Sequence, residues 1–158
     1  MIAPEKHLAY ALGFLQLGLH AEAHEELAAL PPEVAATAPA LTLRLELAMA
    51  EEEWERVVAL APELVALDSS EERPWVAWAY ALRELQRINE AQETLLAGAR
   101  MIDEPSVLVD YNLACYACLL GELEEAKQLL AHVIKRDKSW RDVAREDPDL
   151  AALFTSKG

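Results

Sequence analysis

An all-α fold of four antiparallel helix pairs and a C-terminal capping segment is predicted by three regularities of the sequence. Small residues recur at spacings of 34, 34 and 35, as Ala23, Val57, Ala91 and Ala126. An apolar stripe with helical spacing precedes each of them, and a further apolar residue follows one helical turn later. Each repeat is therefore predicted to form two antiparallel helices joined by a tight turn.

The predicted helix pairs span residues 4–34, 38–69, 72–104 and 106–138. The third pair has the strongest pattern, because Trp75, Trp78 and Leu82 share one helix face. The second pair has the weakest pattern, because Pro62 falls within its second helix. Since proline lacks an N–H group and clashes with the preceding turn, we expect a kink or an early end of the helix there.

Residues 139–158 form the predicted capping segment. Leu150 and Phe154 lie one helical turn apart in this segment, after the sequence Asp147-Pro148. A terminal repeat exposes an apolar face that would otherwise meet the next repeat. We therefore expect this segment to cover the fourth helix pair.

The charge balance limits the classes of partner. The 158 residues include 14 Lys and Arg against 28 Asp and Glu, which gives a formal charge of −14. Nucleic-acid binding and anionic membrane surfaces both require clustered positive charge, so neither is predicted. No run reaches the roughly 20 apolar residues of a membrane-spanning helix. Two cysteines fit a protein of the reducing cytoplasm.

These features resemble the tetratricopeptide repeat family, whose unit is a helix pair of about 34 residues. The third repeat matches the family's large and small positions best, with Trp75, Trp78, Ala79, Leu82, Ala91 and Leu95, and Pro105 closes it. The tail from Glu146 to Leu150 is similar to those that close many bacterial members. The resemblance implies a right-handed superhelical solenoid whose concave groove is lined by the first helix of each pair.

In this family the concave groove binds peptides, and the matching positions can be carried over to this chain. The resulting groove residues are Leu12, Glu46, Met49, Arg73, Val76, Tyr80, Arg83, Tyr111, Cys115 and Cys118. The groove lacks the lysine and asparagine set with which some members clamp a C-terminal carboxylate. Arg73 and Arg83 alone are still able to hold one carboxylate.

The resemblance implies a non-enzymatic scaffold or adaptor that holds a peptide or helix of another protein and needs no cofactor. Exposed apolar grooves generally mark interaction sites, which favours a binding role for this groove. Two occupants of the groove remain as alternatives, namely the C-terminal segment itself and a second copy of the chain. Another alternative is a chaperone for bacterial secretion substrates, as some small acidic members of the family are.

Two further patterns are weak signs of metal or redox chemistry. Cys115 and Cys118 form a C-x-x-C motif, but it falls inside a predicted helix and lacks a second ligand pair. His20 and His24 lie four residues apart, yet His20 occupies the position that Trp54 fills in the second repeat, so packing explains it. We therefore predict no metal site, and we keep a thiol- or metal-dependent activity at the cysteines as a minor alternative.

Overall fold

The computed structural model describes residues 1–155, which form helices joined by short turns and contain no β-strand. This confirms the predicted all-α class. The chain divides into two compact units, Met1–Ser69 and Ser70–Gly158. Within residues 1–155, no helix is both long and apolar enough to cross a membrane.

The first unit contains five helices: α1 (Pro4–Gln16), α2 (His20–Ala28), α3 (Pro32–Ala35), α4 (Ala38–Ala50) and α5 (Trp54–Leu67). α1 packs on α2 and α4 packs on α5, while α4 also contacts α1 and α2. The core between α1, α2 and α4 is built from Ala11, Ala23, Leu27 and Leu47. Small residues at the helix contacts allow the helices to approach closely, so the apolar leucines fill the remaining space.

The second unit begins with two long helix pairs and ends with short elements. Its helices are α6 (Glu72–Glu84), α7 (Ile88–Met101), α8 (Val107–Leu119), α9 (Leu123–Arg136), α10 (Trp140–Glu146) and α11 (Ala151–Thr155), with a 3₁₀ turn at Pro148–Leu150 between the last two. α6 packs on α7, α7 on α8, and α8 on α9. The 3₁₀ turn packs on α8, and α11 packs on α9.

The same turn joins the two helices of each pair. One residue in each turn has a positive φ, at Gly18, Glu52, Gln86 and Gly121, and these positions are again 34, 34 and 35 residues apart. In each turn, the N–H of the following residue donates to the carbonyl five positions earlier, as from Arg87 to Leu82 at 2.8 Å. This bond satisfies a carbonyl at the helix end, which offsets part of the cost of a left-handed glutamate or glutamine.

The predicted early end of the helix at Pro62 is wrong. α5 runs from Trp54 to Leu67 and contains Pro62 in its interior. Ala61 and Leu64 flank the proline and are both buried. Their packing outweighs the one backbone hydrogen bond that proline removes, so the helix continues.

Candidate functional site

The predicted groove residues of the first unit lie on two neighbouring helices. Leu12 is exposed on α1, while Glu46 and Met49 are half-buried on α4. α1 and α4 are in contact, so the two helices that carry these residues are neighbours. That the three side chains share one groove stays a prediction.

In the second unit, four of the predicted groove residues are buried instead of open. Arg73 and Tyr80 are exposed and Arg83 is half-buried, but Val76, Tyr111, Cys115 and Cys118 are buried. The expectation that these four line an open groove is therefore wrong.

The burial of these four residues has two physical causes. Val76 belongs to a run of four consecutive buried residues, 74–77, so this single turn of α6 is covered on every face. Tyr111, Cys115 and Cys118 lie on α8, where the C-terminal part of the chain covers them. We call residues 147–155 the tail segment, and the surface formed by Tyr80, Arg83, Tyr111, Cys115 and Cys118 the second-unit groove.

Two aspartates attach the tail segment to the second-unit groove. The Tyr111 hydroxyl donates to Asp147 Oδ2 at 2.6 Å. The Arg83 guanidinium donates from Nε to Asp149 Oδ2 at 2.9 Å and from Nη2 to Asp149 Oδ1 at 2.6 Å. Such two-bond pairs are the strongest ionic hydrogen bonds in proteins and fix direction as well as distance. Arg83 thus holds one carboxylate, as its position in the sequence suggested.

The backbone and the apolar residues of the tail segment complete this attachment. Asp147 Oδ1 accepts the N–H of Asp149 at 3.0 Å, which sets the 3₁₀ turn and spaces the two carboxylates. Leu150 directly follows and is 0 % exposed. The Cys115 thiol lies 3.8 Å from Asp147 Oδ2, which adds a weak contact at the same carboxylate. In the second unit, the C-terminal segment therefore occupies part of the groove, as one of the alternatives expects.

Burial and the two aspartates hold the groove side chains in their protonated forms. Hydrogen bonding to Asp149 raises the pKa of the Arg83 guanidinium. Burial, and then the bond donated to Asp147, raise the pKa of the Tyr111 hydroxyl. Burial also raises the pKa of the Cys115 thiol, with the negative charge of Asp147 adding to the effect. The groove thus offers a cation, a hydroxyl donor and a protonated thiol to the tail segment.

The tail segment does not fill the whole groove. A cavity of about 240 Å³ remains open beside it, lined by Tyr80, Arg83, Glu84, Asn112, Cys115, Tyr116, Asp147 and Asp149. The side chain of Tyr116 is 2 % exposed, and within residues 1–155 its hydroxyl has no hydrogen-bond partner. Buried polar groups are nearly always paired, so this hydroxyl marks imperfect packing around a residue that lines the cavity.

Metal and redox chemistry are disfavoured by the same geometry. Cys115, Asp147 and Asp149 each place one potential ligand atom within 4.8 Å of the others. Both Asp149 oxygens already bind the Arg83 guanidinium, whose positive charge opposes a cation. The raised pKa of Cys115 leaves little of the thiolate that ligates metals and attacks disulfides. The two cysteines are free, and both are buried.

The histidines of the first unit have local partners. His24 Nε2 lies 2.6 Å from Glu51 Oε1, and His7 Nδ1 lies 2.6 Å from Glu26 Oε2. His20 is the first residue of α2, as Trp54 is of α5, which fits its interpretation as a packing residue.

Sequence reasoning missed three residues of this site. The sequence predicts only that Asp147 and Asp149 belong to a capping segment. Nothing local in the sequence connects Asp149 with Arg83, which is 66 residues away. Tyr116 was missed because it lies outside the predicted groove stripe. The one available signal was the acidic sequence Asp147-Pro148-Asp149 in a chain whose predicted groove contains Arg83.

Compared with protein-family models and with curated proteins, the chain matches none of them.

Proposed function

We propose that this chain is a non-enzymatic protein-binding scaffold of the tetratricopeptide type, with four helix pairs at residues 4–34, 38–69, 72–104 and 106–138 in a right-handed superhelical solenoid and residues 139–158 as its cap. Its role is to hold a peptide or helix of another protein on the surface of the first helices, in the cytoplasm and without a cofactor. The recurrence of one turn geometry at Gly18, Glu52, Gln86 and Gly121 supports the repeat. If the partner is a second copy of the chain, the same surface mediates self-association.

One observation carries the binding role. The second-unit groove already holds a peptide segment, which it attaches by an ion pair at Arg83, a hydrogen bond at Tyr111 and a buried leucine. Peptide recognition in general combines a few fixed polar contacts with burial of apolar side chains. The groove therefore has the chemistry that peptide binding requires.

Replacing Tyr80 with alanine tests this role. Tyr80 is 41 % exposed at the edge of the cavity, and tyrosine is among the residues that most often dominate binding when truncated. We expect Tyr80→Ala to weaken capture of the native partner from extracts of the source organism at least tenfold, about 1.4 kcal/mol, in quantitative pull-downs read by mass spectrometry.

Tyr10→Ala provides the matched control for this experiment. Tyr10 has a similar exposure of 47 %, but it lies on α1 outside the predicted groove stripe. Its replacement should leave the captured proteins and their amounts unchanged. If Tyr10→Ala reduces capture and Tyr80→Ala does not, the binding surface lies elsewhere and the proposed role of the groove is wrong.

A further inference from the structure

The tail segment has the chemistry of a ligand of the second-unit groove. Asp147 and Asp149 lie two residues apart and contact different groove residues, Tyr111 and Arg83. Leu150 follows them and is fully buried, whereas Pro148 between the two aspartates is exposed. The contacts therefore select a short pattern, Asp-x-Asp-Leu, in which the middle position faces solvent.

This internal ligand leaves part of the groove unsatisfied. The cavity of about 240 Å³ remains beside the two aspartates, and Tyr116, one of the residues that line it, has a buried hydroxyl with no hydrogen-bond partner within residues 1–155. An unpaired buried hydroxyl disfavours the state that contains it, and a ligand that supplies an acceptor removes that penalty. The tail segment thus leaves space in the groove that an external peptide with the same two aspartates is able to fill with further side chains.

The tail segment is also built from short elements. Its 3₁₀ turn has three residues and α11 has five, and helices of this length have no stability of their own in water. Their structure depends on the contacts with α8 and α9. Because the segment is tethered, it competes with an external ligand at an effective concentration in the millimolar range, and this competition lowers the apparent affinity of the external ligand.

We propose that the second-unit groove is a receptor site for acidic peptides of the pattern Asp-x-Asp-Leu from another protein, and that residues 147–150 occupy it as a displaceable internal ligand. The proposal rests on the proposed scaffold function and names the chemical class of the partner. It implies that the intact chain binds such peptides weakly and that weakening the internal contacts increases the affinity.

Fluorescence anisotropy with a labelled synthetic peptide of the sequence of residues 145–155 tests this proposal on the full chain. We expect the variant Asp147→Ala with Asp149→Ala to bind the peptide at least tenfold more tightly than the unmodified chain, because its own tail segment no longer competes. Asp149→Asn, which keeps the side-chain shape and removes the charge, should change the affinity in the same direction. This second variant provides the comparison if the double replacement fails to fold.

The chain supplies a control of matched geometry. Arg87 donates to Glu90 with distances of 2.9 and 2.6 Å, the same as those of the Arg83–Asp149 pair, but on an exposed surface of α7. Glu90→Ala removes the same charge and should leave peptide affinity equal to that of the unmodified chain. In the background with the two aspartates replaced, Arg83→Ala should weaken peptide binding at least tenfold, whereas Arg87→Ala should not.

Tyr116→Phe probes the imperfect fit directly. Phenylalanine removes the unpaired hydroxyl without changing the shape of the ring, so the closed state becomes more favourable. We expect this variant to melt at the same or a higher temperature and to bind the synthetic peptide no more tightly than the unmodified chain does.

Three outcomes would overturn the proposal. The first is equal peptide affinity in the unmodified chain and in the aspartate variants, and the second is binding that does not depend on Arg83. The third is that a peptide in which asparagine replaces both aspartates binds as tightly as the original peptide. If the acidic peptide fails while capture of the native partner still depends on Tyr80, the acidic class is wrong and the scaffold function stands.

Discussion

Replacing Trp75 with alanine should lower the free energy of unfolding by about 3–5 kcal/mol, the usual cost of removing a buried tryptophan. Trp75 is buried on α6 and stacks on Trp78 with ring centroids 5.7 Å apart and an angle of 14° between the planes. Another neighbour is Gly98 of α7, where a Cβ atom would lie 2.6 Å from Cγ of the indole. The two helices approach this closely only because position 98 has no side chain. Urea unfolding followed by circular dichroism measures the change.

Gly98→Ala provides a control whose cost depends on the indole ring. In the unmodified chain the added methyl group collides with the indole, so we expect a loss of about 1–3 kcal/mol, as for other overpacked cores. In the Trp75→Ala background the ring contacts at 2.6 and 2.7 Å are gone and only Cβ of residue 75 remains close, at 2.9 Å. Because alanine is also favoured over glycine in a helix by about 1 kcal/mol, the same replacement should then cost clearly less. Equal destabilisation in both backgrounds would show that α6 and α7 do not pack through this contact.

The Arg83–Asp149 pair should show a coupling free energy of about 1.5–3 kcal/mol in a double-mutant cycle, which is typical of hydrogen bonds to charged groups. Both side chains are largely buried, with 22 % and 19 % exposed, so solvent screens the pair only in part. Removing either partner leaves the other charge in the groove without its counter-charge. Urea midpoints of the two single variants and the double variant measure the coupling.

The cycle for Arg87 and Glu90 is the comparison, because the geometry of the two pairs is the same and the exposure is not. Exposed pairs gain little from ideal geometry, since water solvates both charges equally well when they are apart. We expect a clearly smaller coupling for this pair. If both cycles give the same coupling, the tail segment does not lie in the groove in solution.

The helices of this fold could be predicted from sequence because their signals are local and repeated. The repeated pattern predicts helices where the structure has them, such as Leu123–Arg136 within 106–138. The first pair differs, because α2 ends at Ala28, six residues before the predicted end at 34, and the separate short helix α3 follows. The positive-φ positions at Glu52 and Gln86 could not be predicted from residue type, but the 34-residue period places them. Pro62 misled the prediction because helix propensity is a local quantity and the packing of Ala61 and Leu64 is not.

The groove was harder to predict, because its exposure depends on contacts between residues distant in sequence. The period predicts Cys115 and Cys118 beside Tyr80 and Arg83, and Tyr80, Arg83 and Cys115 do line one cavity, yet the period carries no information about what covers these residues. A pattern of side chains on one helix cannot reveal a segment that returns to it more than 30 residues later. The unpaired hydroxyl of Tyr116 is likewise a property of the packed structure alone.

The reaction rate of the thiols with a neutral thiol reagent tests most directly whether the tail segment occupies the second-unit groove. The chain has two cysteines, Cys115 and Cys118, and both are buried on α8, the helix on which the 3₁₀ turn of the tail segment packs. Leu150→Ala removes a fully buried side chain of the tail segment without changing any charge near the thiols. Such a replacement typically costs about 2–5 kcal/mol of packing, so it should increase the open population.

We predict that Leu150→Ala increases the rate of thiol modification in the native protein at least tenfold. Leu96→Ala, which truncates an exposed leucine of α7, should leave the rate at that of the unmodified chain. Equal rates in all three proteins would contradict the account, because the thiols would then be protected by something other than residues 147–155.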